Sequence, residues 1–455
     1  MSPAAKGRTR SSLIGLALAV AAIALTTSCD RGGGPGLEKA DDDVDIPIPD
    51  VPEPPADGPK IGALSDVTPI LDRPSRRGTR LGYIHAGEKL VRAAEPISVR
   101  GCEGGWFPVR PRGFVCATGS ATVEMRHPTL VAMALAPDPA AALPYTYART
   151  TRDTTLFEPD PARAESVRVR GTLPDSSGLA VVGSWTALDP DGKELRLAMT
   201  TEGSFVPVAD LRPCNASRFA GKALDGKAKL PVAFVVKRGV HLFGMHDGVA
   251  EKETPLDYHA RLDLTGRFVT VDGVELWQTT DERFVRARDV TLVRERHEMP
   301  SLVDAKRRWL DVAVTTGVVV AYEGTKPVYV TLASVGRDRL GGTPTTDGNE
   351  AVTRRGELTV VSKQVTLKEH DPATFAENVA LYDVPYALEL SSGQFIVGAY
   401  WHDRFGIEHG PGNIELSPAD AAWIFGFMGP PIPEGWHGVT TSASSDDPAI
   451  VEVRK

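Results

Sequence analysis

Cysteine is scarce in this sequence, with four residues among 455. Four thiols are too few for a scaffold of many disulfides, and a zinc site of four thiolates would use them all. Positive charge is also in deficit, because 51 Lys and Arg stand against 59 Asp and Glu for a net charge of −8. The basic runs are short, as at Lys306-Arg307-Arg308, so we expect no nucleic-acid partner.

Long apolar runs are absent after residue 30, which excludes a membrane-spanning helix from that part of the chain. Hydrophobic residues make up 42% and charged residues 24%, so disorder is not the dominant state. At about 150 residues per domain, the length predicts several domains. The 44 glycines and 36 prolines favour frequent turns over long helices. We therefore expect a mainly β protein.

The N-terminus is typical of an export signal. Basic residues precede an apolar run from Leu13 to Leu25, and Thr26-Thr27-Ser28-Cys29 follows. This end of the run resembles a bacterial lipoprotein signal, which implies cleavage before Cys29 and lipidation of its thiol. An ordinary cleaved signal with an incidental Cys29 is the alternative. We expect a signal peptide over residues 1–29 and a lipid anchor on a bacterial membrane, with the chain facing the periplasm or cell wall.

Residues 30–62 have the composition of a linker. They contain Gly32-Gly33-Gly34, Asp41-Asp42-Asp43 and a proline-rich run over residues 46–55. Such a segment buries too little apolar surface to offset the entropy of ordering it. We predict a disordered, semi-stiff acidic spacer.

Short alternating strands begin near residue 63. The stretch from Gly105 to Cys116 carries a Trp strand and a closing Phe-Val pair, and it resembles a bacterial Src-homology-three-like module, expected over residues 63–126. Cys102 and Cys116 flank the Trp strand, and in an oxidising compartment a disulfide is favoured over a metal pair. Cys214 is left single and is expected to be a buried, inert thiol.

The middle of the chain contains an internal sequence repeat. Residues 200–210 align with residues 279–289 without a gap and share Thr-Thr and Phe-Val pairs. Both segments also echo the closing Phe114-Val115 of the first module. We therefore predict further β modules over residues 127–214 and 215–300, with chance convergence of two hairpins as the alternative.

Two local patterns stand out in the C-terminal third. Residues 308–324 alternate around Thr316-Gly317 and predict a hairpin. Ser417 followed by Pro418 and Asp420 predicts the start of a helix, because the hydroxyl can cap it and proline suits its first position. The apolar residues at helical spacing on one face are Ala421, Ile424, Phe425 and Met428.

Together with Tyr400-Trp401-His402 and Phe405-Gly406, these patterns resemble the catalytic domain of L,D-transpeptidases, exported cysteine enzymes of bacterial wall synthesis. The resemblance implies a mostly antiparallel β-sandwich with a few short helices over residues 301–440, followed by a strand or tail over residues 441–455. It also implies a groove for a peptidoglycan stem peptide, attacked in the family by a thiolate.

The family motif Ser/Thr-His-Gly-Cys is altered here, and so is the Asn or Arg two residues after its cysteine, where Glu415 stands. The positions equivalent to the four motif residues and to an earlier family histidine are Gly410, Pro411, Gly412, Asn413 and Val397. Acyl transfer needs a nucleophile and a base. The Asn413 carboxamide is not nucleophilic and Pro411 carries no base. No cysteine follows Cys214, so we expect no transpeptidase catalysis.

Trp401, His402 and His409 are candidate groove residues. His402 or His409 as the base of a non-standard enzyme is an alternative. Two histidines seven positions apart supply fewer ligands than a catalytic metal site needs, so satisfied or solvated histidines are favoured. We expect no metal and no other cofactor.

These patterns predict an exported, lipid-anchored envelope protein with an inactive transpeptidase-like domain. Its expected partners are peptidoglycan stem peptides or envelope proteins, bound in a scaffolding or regulatory role, with the β modules adding weak multivalent contacts. Two alternatives stay open. One is an active peptidoglycan transpeptidase or peptidase with another catalytic set, and the other is a structural protein-interaction lipoprotein.

Overall fold

A computed structural model describes residues 50–455, apart from residues 164, 227–228, 297, 301–305, 337–351, 369–378, 408, 410–411 and 444–447. The expected signal, Cys29 and most of the linker therefore lie outside the described residues. Within the described part, strands dominate and helices are short. The prediction of a mainly β protein is confirmed.

The first module is built from strands that pair into two small sheets. Its strands are β1 (Lys60–Ala63), β2 (Thr68–Leu71), β3 (Arg80–Ile84), β4 (Lys89–Val91), β5 (Trp106–Pro108), β6 (Phe114–Cys116) and β7 (Ala121–Thr122). The pairing orders are β3-β2-β6-β5 and β4-β1-β7, and a bridge between Arg92 and Val109 links them. A disulfide joins Cys102 to Cys116, and helix α1 (Pro128–Ala132) follows the module.

The second and third modules each form one continuous sheet. The second contains β8 (Thr146–Thr150), β9 (Thr154–Pro159), β10 (Val167–Leu173), β11 (Gly178–Leu188), β12 (Glu194–Thr200), β13 (Phe205–Pro207) and β14 (Leu211–Pro213). After β15 (Lys222–Ala223), the third contains β16 (Val232–Val235), β17 (His241–His246), β18 (Val249–Pro255), β19 (Arg261–Val271), β20 (Val274–Thr279), β21 (Phe284–Arg286) and β22 (Val290–Val293).

All three modules share one strand order. The sheets β10-β9-β13-β12-β11-β8-β14 and β18-β17-β21-β20-β19-β16-β22 match strand for strand, and the first module follows the same order with its break between β5 and β4. The sixth strand of each begins with a buried Phe-Val pair, namely Phe114-Val115, Phe205-Val206 and Phe284-Val285. Because this strand lies between the second and fifth strands, its side chains fill the module core.

The C-terminal domain follows the third module. Its elements are β23 (Arg308–Ala313), β24 (Val318–Glu323), β25 (Lys326–Ser334), β26 (Gly356–Leu367), β27 (Val384–Leu390), β28 (Phe395–Gly398), β29 (Ile414–Leu416), helix α2 (Pro418–Phe427), β30 (Gly438–Thr440) and β31 (Ile450–Arg454). The predicted hairpin is confirmed, since β23 and β24 pair in register with Ala313 opposite Val318.

Two long strands close this domain into a ring. Strand β25 pairs first with β24 and then with β29, while β26 pairs first with β31 and then with β27 and β30. The ring runs β27-β28-β29-β25-β24-β23-β31-β26 and returns to β27. Most pairs are antiparallel, and β28–β29 and β23–β31 are parallel. A ring leaves few strand edges exposed, which limits pairing with other chains.

Helix α2 packs its apolar face onto this ring. Ser417 is its N-cap, and the hydroxyl accepts a hydrogen bond of 3.1 Å from the backbone N–H of Asp420. The residues predicted to form the apolar face, Ala421, Ile424, Phe425 and Met428, are all buried. The helix prediction is confirmed. At the other end, the buried Lys363 ammonium donates to the carbonyls of Phe425 and Met428 at 2.6 Å each.

The modules contact the C-terminal domain through a shared apolar core and through strand pairing. Tyr147 of the second module and Phe234 of the third share one core with Trp309 and Tyr322 of the C-terminal domain. Strand β15 pairs with β25, and β30 pairs with both β3 and β26. Strand pairing therefore joins the ring to the first module and to the segment between the second and third modules.

We predict that Ser417→Ala lowers the free energy of unfolding by about 1 kcal/mol, because an N-cap hydroxyl satisfies a helix N–H that alanine leaves without this partner. Urea denaturation monitored by circular dichroism measures the change. Ser184→Ala, on the exposed face of β11, is the matched control and should change stability by less than half as much. Equal effects of the two substitutions would contradict the capping role.

Candidate functional site

The parallel pairing of β28 with β29 positions Val397 and brings Asn413 to the end of the second strand. Val397 of β28 lies directly beside Glu415 of β29, and both are fully buried. The Val397 side chain belongs to the apolar core that the domain shares with the modules. An apolar side chain in that core offers no base.

Asn413 lies immediately before β29 and is 5% exposed. Its Oδ1 accepts a hydrogen bond of 2.9 Å from the backbone N–H of Phe395, at the start of β28. Gly412 has a φ of +106°, which favours glycine at this turn. Gly410 and Pro411 lie outside the described residues. The amide of Asn413 therefore acts as a structural link between two strand ends.

His402 and His409 both approach Glu415. The Nε2 of His402 lies 2.7 Å from Glu415 Oε2, and the Nδ1 of His409 lies 3.4 Å from the same oxygen. The two imidazole centroids are 4.3 Å apart. We call these three residues the histidine–glutamate cluster. It brings together two of the three predicted groove residues, and it does not include Asn413 or Val397.

The surroundings fix the orientation of His402. The backbone N–H of Arg404 donates to His402 Nδ1 at 3.0 Å, which leaves Nε2 to donate its proton to Glu415. Trp401, the third predicted groove residue, is buried, with its ring edge-on to His402 at 5.7 Å between centroids. The Arg149 guanidinium donates to the Trp401 carbonyl at 3.0 Å. These contacts hold the His402 imidazole against the strands of the C-terminal domain.

Glu415 is the residue that sequence reasoning missed as a member of a site. Its neighbours Ile414 and Leu416 are buried, so the three consecutive residues of β29 are all removed from water. A carboxylate in such a strand needs a partner, because burying an unpaired charge is costly. The sequence signal that could have identified Glu415 as a site residue is a glutamate between two apolar residues of a short buried strand.

Cys214 is half-buried and its Sγ donates to the carbonyl of Tyr400 at 2.8 Å. Burial raises the pKa of this thiol above its usual value. Since the thiolate is the nucleophilic form, the environment of Cys214 opposes nucleophilic chemistry.

A second buried polar cluster, which the sequence reasoning did not predict, lies where the first module meets the ring. We call Glu88, Thr366, Asp383 and His437 the junction network. His437 Nδ1 lies 2.9 Å from Glu88 Oε1, and His437 Nε2 lies 2.9 Å from the Thr366 hydroxyl. The Thr366 hydroxyl is in turn 3.3 Å from Asp383. The network thus links the two domains through hydrogen bonds shielded from water.

Burial and neighbouring charges move the pKa values in this network. Burial raises the pKa of Asp383 to about 6. Burial opposes the charge on His437, but Glu88 outweighs it and the pKa of His437 is raised. Burial, aided by His437, lowers the pKa of neighbouring His85 to about 4. The pKa values of one carboxyl and two imidazoles in and beside the network therefore differ from their ordinary values.

We predict that Asp383→Asn stabilises the protein more at pH 7 than at pH 4.5. The pKa of Asp383 in the folded protein is about 6, whereas the unfolded chain ionises this carboxyl at lower pH. Ionisation of Asp383 as pH rises through about 6 therefore lowers the stability of the folded state relative to the unfolded chain. Asparagine removes this penalty and tolerates the φ of +51° at this position. The expected difference between the two pH values is about 1–3 kcal/mol, measured by thermal or urea unfolding.

Asp272→Asn is the matched control for that substitution. Asp272 has a similar φ of +49° but lies exposed in the turn between β19 and β20. Its replacement should change stability equally at both pH values. A gain for Asp383→Asn that does not depend on pH would contradict the buried ionisation penalty.

Comparison with known proteins finds similarity among solved structures. No protein-family model and no curated protein matches the chain. Among solved structures, an L,D-transpeptidase from Xylanimonas cellulosilytica is 17% identical over 34% of this chain and 65% of its own, with a TM-score of 0.24. This chain thus spans less than two thirds of that protein.

Two mycobacterial structures show similar values. An L,D-transpeptidase from Mycobacterium tuberculosis H37Rv is 20% identical over 42% of this chain and 77% of its own, with a TM-score of 0.23. One from Mycobacterium smegmatis is 17% identical over 53% of this chain and 95% of its own, with a TM-score of 0.24. At scores this low, the activity of this chain has to be argued from its own residues. Among the described residues, none of the helices combines the length and the apolar character needed to cross a bilayer.

Proposed function

We propose that this chain is an exported, lipid-anchored envelope protein whose transpeptidase-like domain does not catalyse acyl transfer and instead binds peptidoglycan as a scaffold or regulator of wall cross-linking. The export signal, the lipid-acceptor motif at Cys29 and the motif likeness around residues 400–420 support this assignment.

The observation that carries the proposal is the state of Asn413 and Val397. The Asn413 carboxamide is buried and its oxygen is engaged by Phe395, while Val397 is packed in an apolar core. Nucleophile and base act as a unit in covalent catalysis, so replacing both removes the mechanism rather than slowing it. The only free thiol among the described residues, Cys214, is half-buried and has a raised pKa.

Exposed aromatic side chains on the modules support a binding role. Trp185 on β11 is 40% exposed, with its ring tilted against Phe205, and Phe268 on β19 is 54% exposed, with its ring tilted against Trp277. These strands are the fourth in their modules, so both modules present an aromatic side chain on the same strand. Aromatic side chains are enriched where proteins bind partners, because they offer a large apolar contact area. Two such surfaces on one chain favour a repetitive polymer, because linked contacts multiply.

We predict that the purified protein forms no acyl adduct with a peptidoglycan stem-peptide donor. Mass spectrometry of the intact protein after incubation measures the adduct, and an active L,D-transpeptidase serves as positive control. An adduct mapped to any residue of the C-terminal domain would refute catalytic silence.

We also predict that the protein sediments with purified sacculi. The double variant Trp185→Ala/Phe268→Ala should weaken this binding roughly tenfold, since two contacts to one polymer act together. The matched control is Val169→Ala/Val249→Ala, which removes two exposed apolar side chains, each 58% exposed, from the third strand of each module.

Each outcome of the sedimentation experiment has a distinct meaning. If the wild-type protein stays in the supernatant, the chain does not bind the wall, and a protein-interaction role is favoured. If both double variants lose binding equally, the aromatic side chains are not the binding groups.

A further inference from the structure

We propose that His402, His409 and Glu415 form a binding site for a divalent transition-metal ion, with Zn²⁺ the best match to their donor atoms. The site includes neither Asn413 nor Val397 and lies apart from the aromatic side chains Trp185 and Phe268 of the modules. It does not depend on the proposed binding of peptidoglycan.

The geometry is the first observation behind this inference. One ligand atom from each residue lies within 4.8 Å of the other two. Two ligands of a tetrahedral zinc ion stand about 3.3 Å apart, because zinc bonds nitrogen and carboxylate oxygen at about 2.0–2.2 Å. The separations of 2.7 Å and 3.4 Å from Glu415 Oε2 to the two imidazole nitrogens lie on either side of that value. Small side-chain shifts would therefore admit an ion.

The second observation is an oxygen without a partner. Glu415 is fully buried, and its Oε1 has no hydrogen-bond partner among the described residues. Both imidazoles instead approach Oε2. A buried carboxylate oxygen that makes no hydrogen bond carries a large desolvation cost. A cation bound between the rings and the carboxylate would offset this cost.

The protein contains a second histidine–glutamate pair that makes this orphan oxygen informative. Both carboxylate oxygens of Glu88 are engaged: Oε1 by His437 Nδ1 at 2.9 Å, and Oε2 by the backbone N–H of His85 at 2.7 Å. That pair is complete as a structural ion pair. Glu415 leaves one carboxylate oxygen without such a contact, which is the pattern expected of an incomplete ligand set.

The donor types select the ion. Two imidazoles and one carboxylate are the ligands of catalytic zinc sites, and they leave a fourth position for water or substrate. The side chains of His402 and His409 are 6% and 14% exposed, so the open side of the site faces the histidines. Coordination through His402 Nε2 moves its proton to Nδ1 and breaks the contact with the Arg404 N–H. That hydrogen bond is exposed, so water can take the place of the lost partner.

The test uses the full chain, without a histidine tag, after treatment with EDTA. Isothermal titration with Zn²⁺ should show one equivalent bound. Titration with Co²⁺ should give the intense visible absorption of a four-coordinate complex with nitrogen and oxygen ligands. Neither readout requires the protein to have an activity.

Three variants and one control define the ligands. Glu415→Gln, His402→Ala and His409→Ala should each weaken Zn²⁺ binding at least tenfold, because removing even an outer-shell partner of a metal ligand costs about 10- to 100-fold in affinity. His246→Ala is the control, because His246 also lies near a glutamate, with its Nε2 3.8 Å from Glu253 Oε1, but on the exposed part of β17. It should bind Zn²⁺ as the wild type does.

The proposal fails if the EDTA-treated wild type binds no Zn²⁺, or if Glu415→Gln binds it with unchanged affinity. Because Glu415 is buried, thermal unfolding of each metal-free variant checks that it folds. His409→Ala alters the most exposed of the three side chains and leaves the buried carboxylate in place, so it decides the question if Glu415→Gln unfolds. Wall binding is measured separately by sedimentation, so the two proposals can fail independently.

Discussion

The parallel pairing of β28 with β29 is the constraint on which the whole candidate site depends. This register puts Val397 beside Glu415 and allows the Asn413 amide oxygen to accept a hydrogen bond from the Phe395 N–H. A parallel pair cannot be joined by a tight turn, so a long connection must leave one strand and return to the other. That connection carries His402 and His409 and brings both imidazoles back onto the carboxylate of the second strand. The site is thus a consequence of one crossover.

Local signals made the largest elements predictable. The Ser-Pro-x-Asp start of α2 and the alternation of β23 and β24 are encoded within a few residues, and both appear as predicted. The Phe-Val pairs were visible for the same reason, since each fills the core of its own module. The shared strand order of the three modules and the closure of the ring by β25 and β26 depend on pairings between distant residues. Short-range periodicity carries no information about such pairings.

The candidate site also combines features that the sequence predicts with features that depend on the tertiary fold. That Asn413 offers no nucleophile and Val397 no base could be predicted from residue identity alone, because an amide and an isopropyl group lack that chemistry in any environment. The convergence of His402 and His409 on Glu415 could not, since it requires the register of β29 against β28. The junction network is a stronger case, because Glu88 and His437 are 349 residues apart in sequence. Groups that meet only through the tertiary fold need the fold to be known first.

Residues outside the candidate site hold this part of the fold together. The buried Asp420 carboxylate accepts hydrogen bonds from Gly221 N–H, the Tyr329 hydroxyl, the Thr331 hydroxyl and the Ser417 hydroxyl, all between 2.6 and 2.8 Å. These donors come from the helix cap, from β25 and from the segment leading to β15, so one side chain fixes three parts of the chain. Helix α2 is therefore held by contacts of Asp420 that involve neither Asn413 nor Glu415.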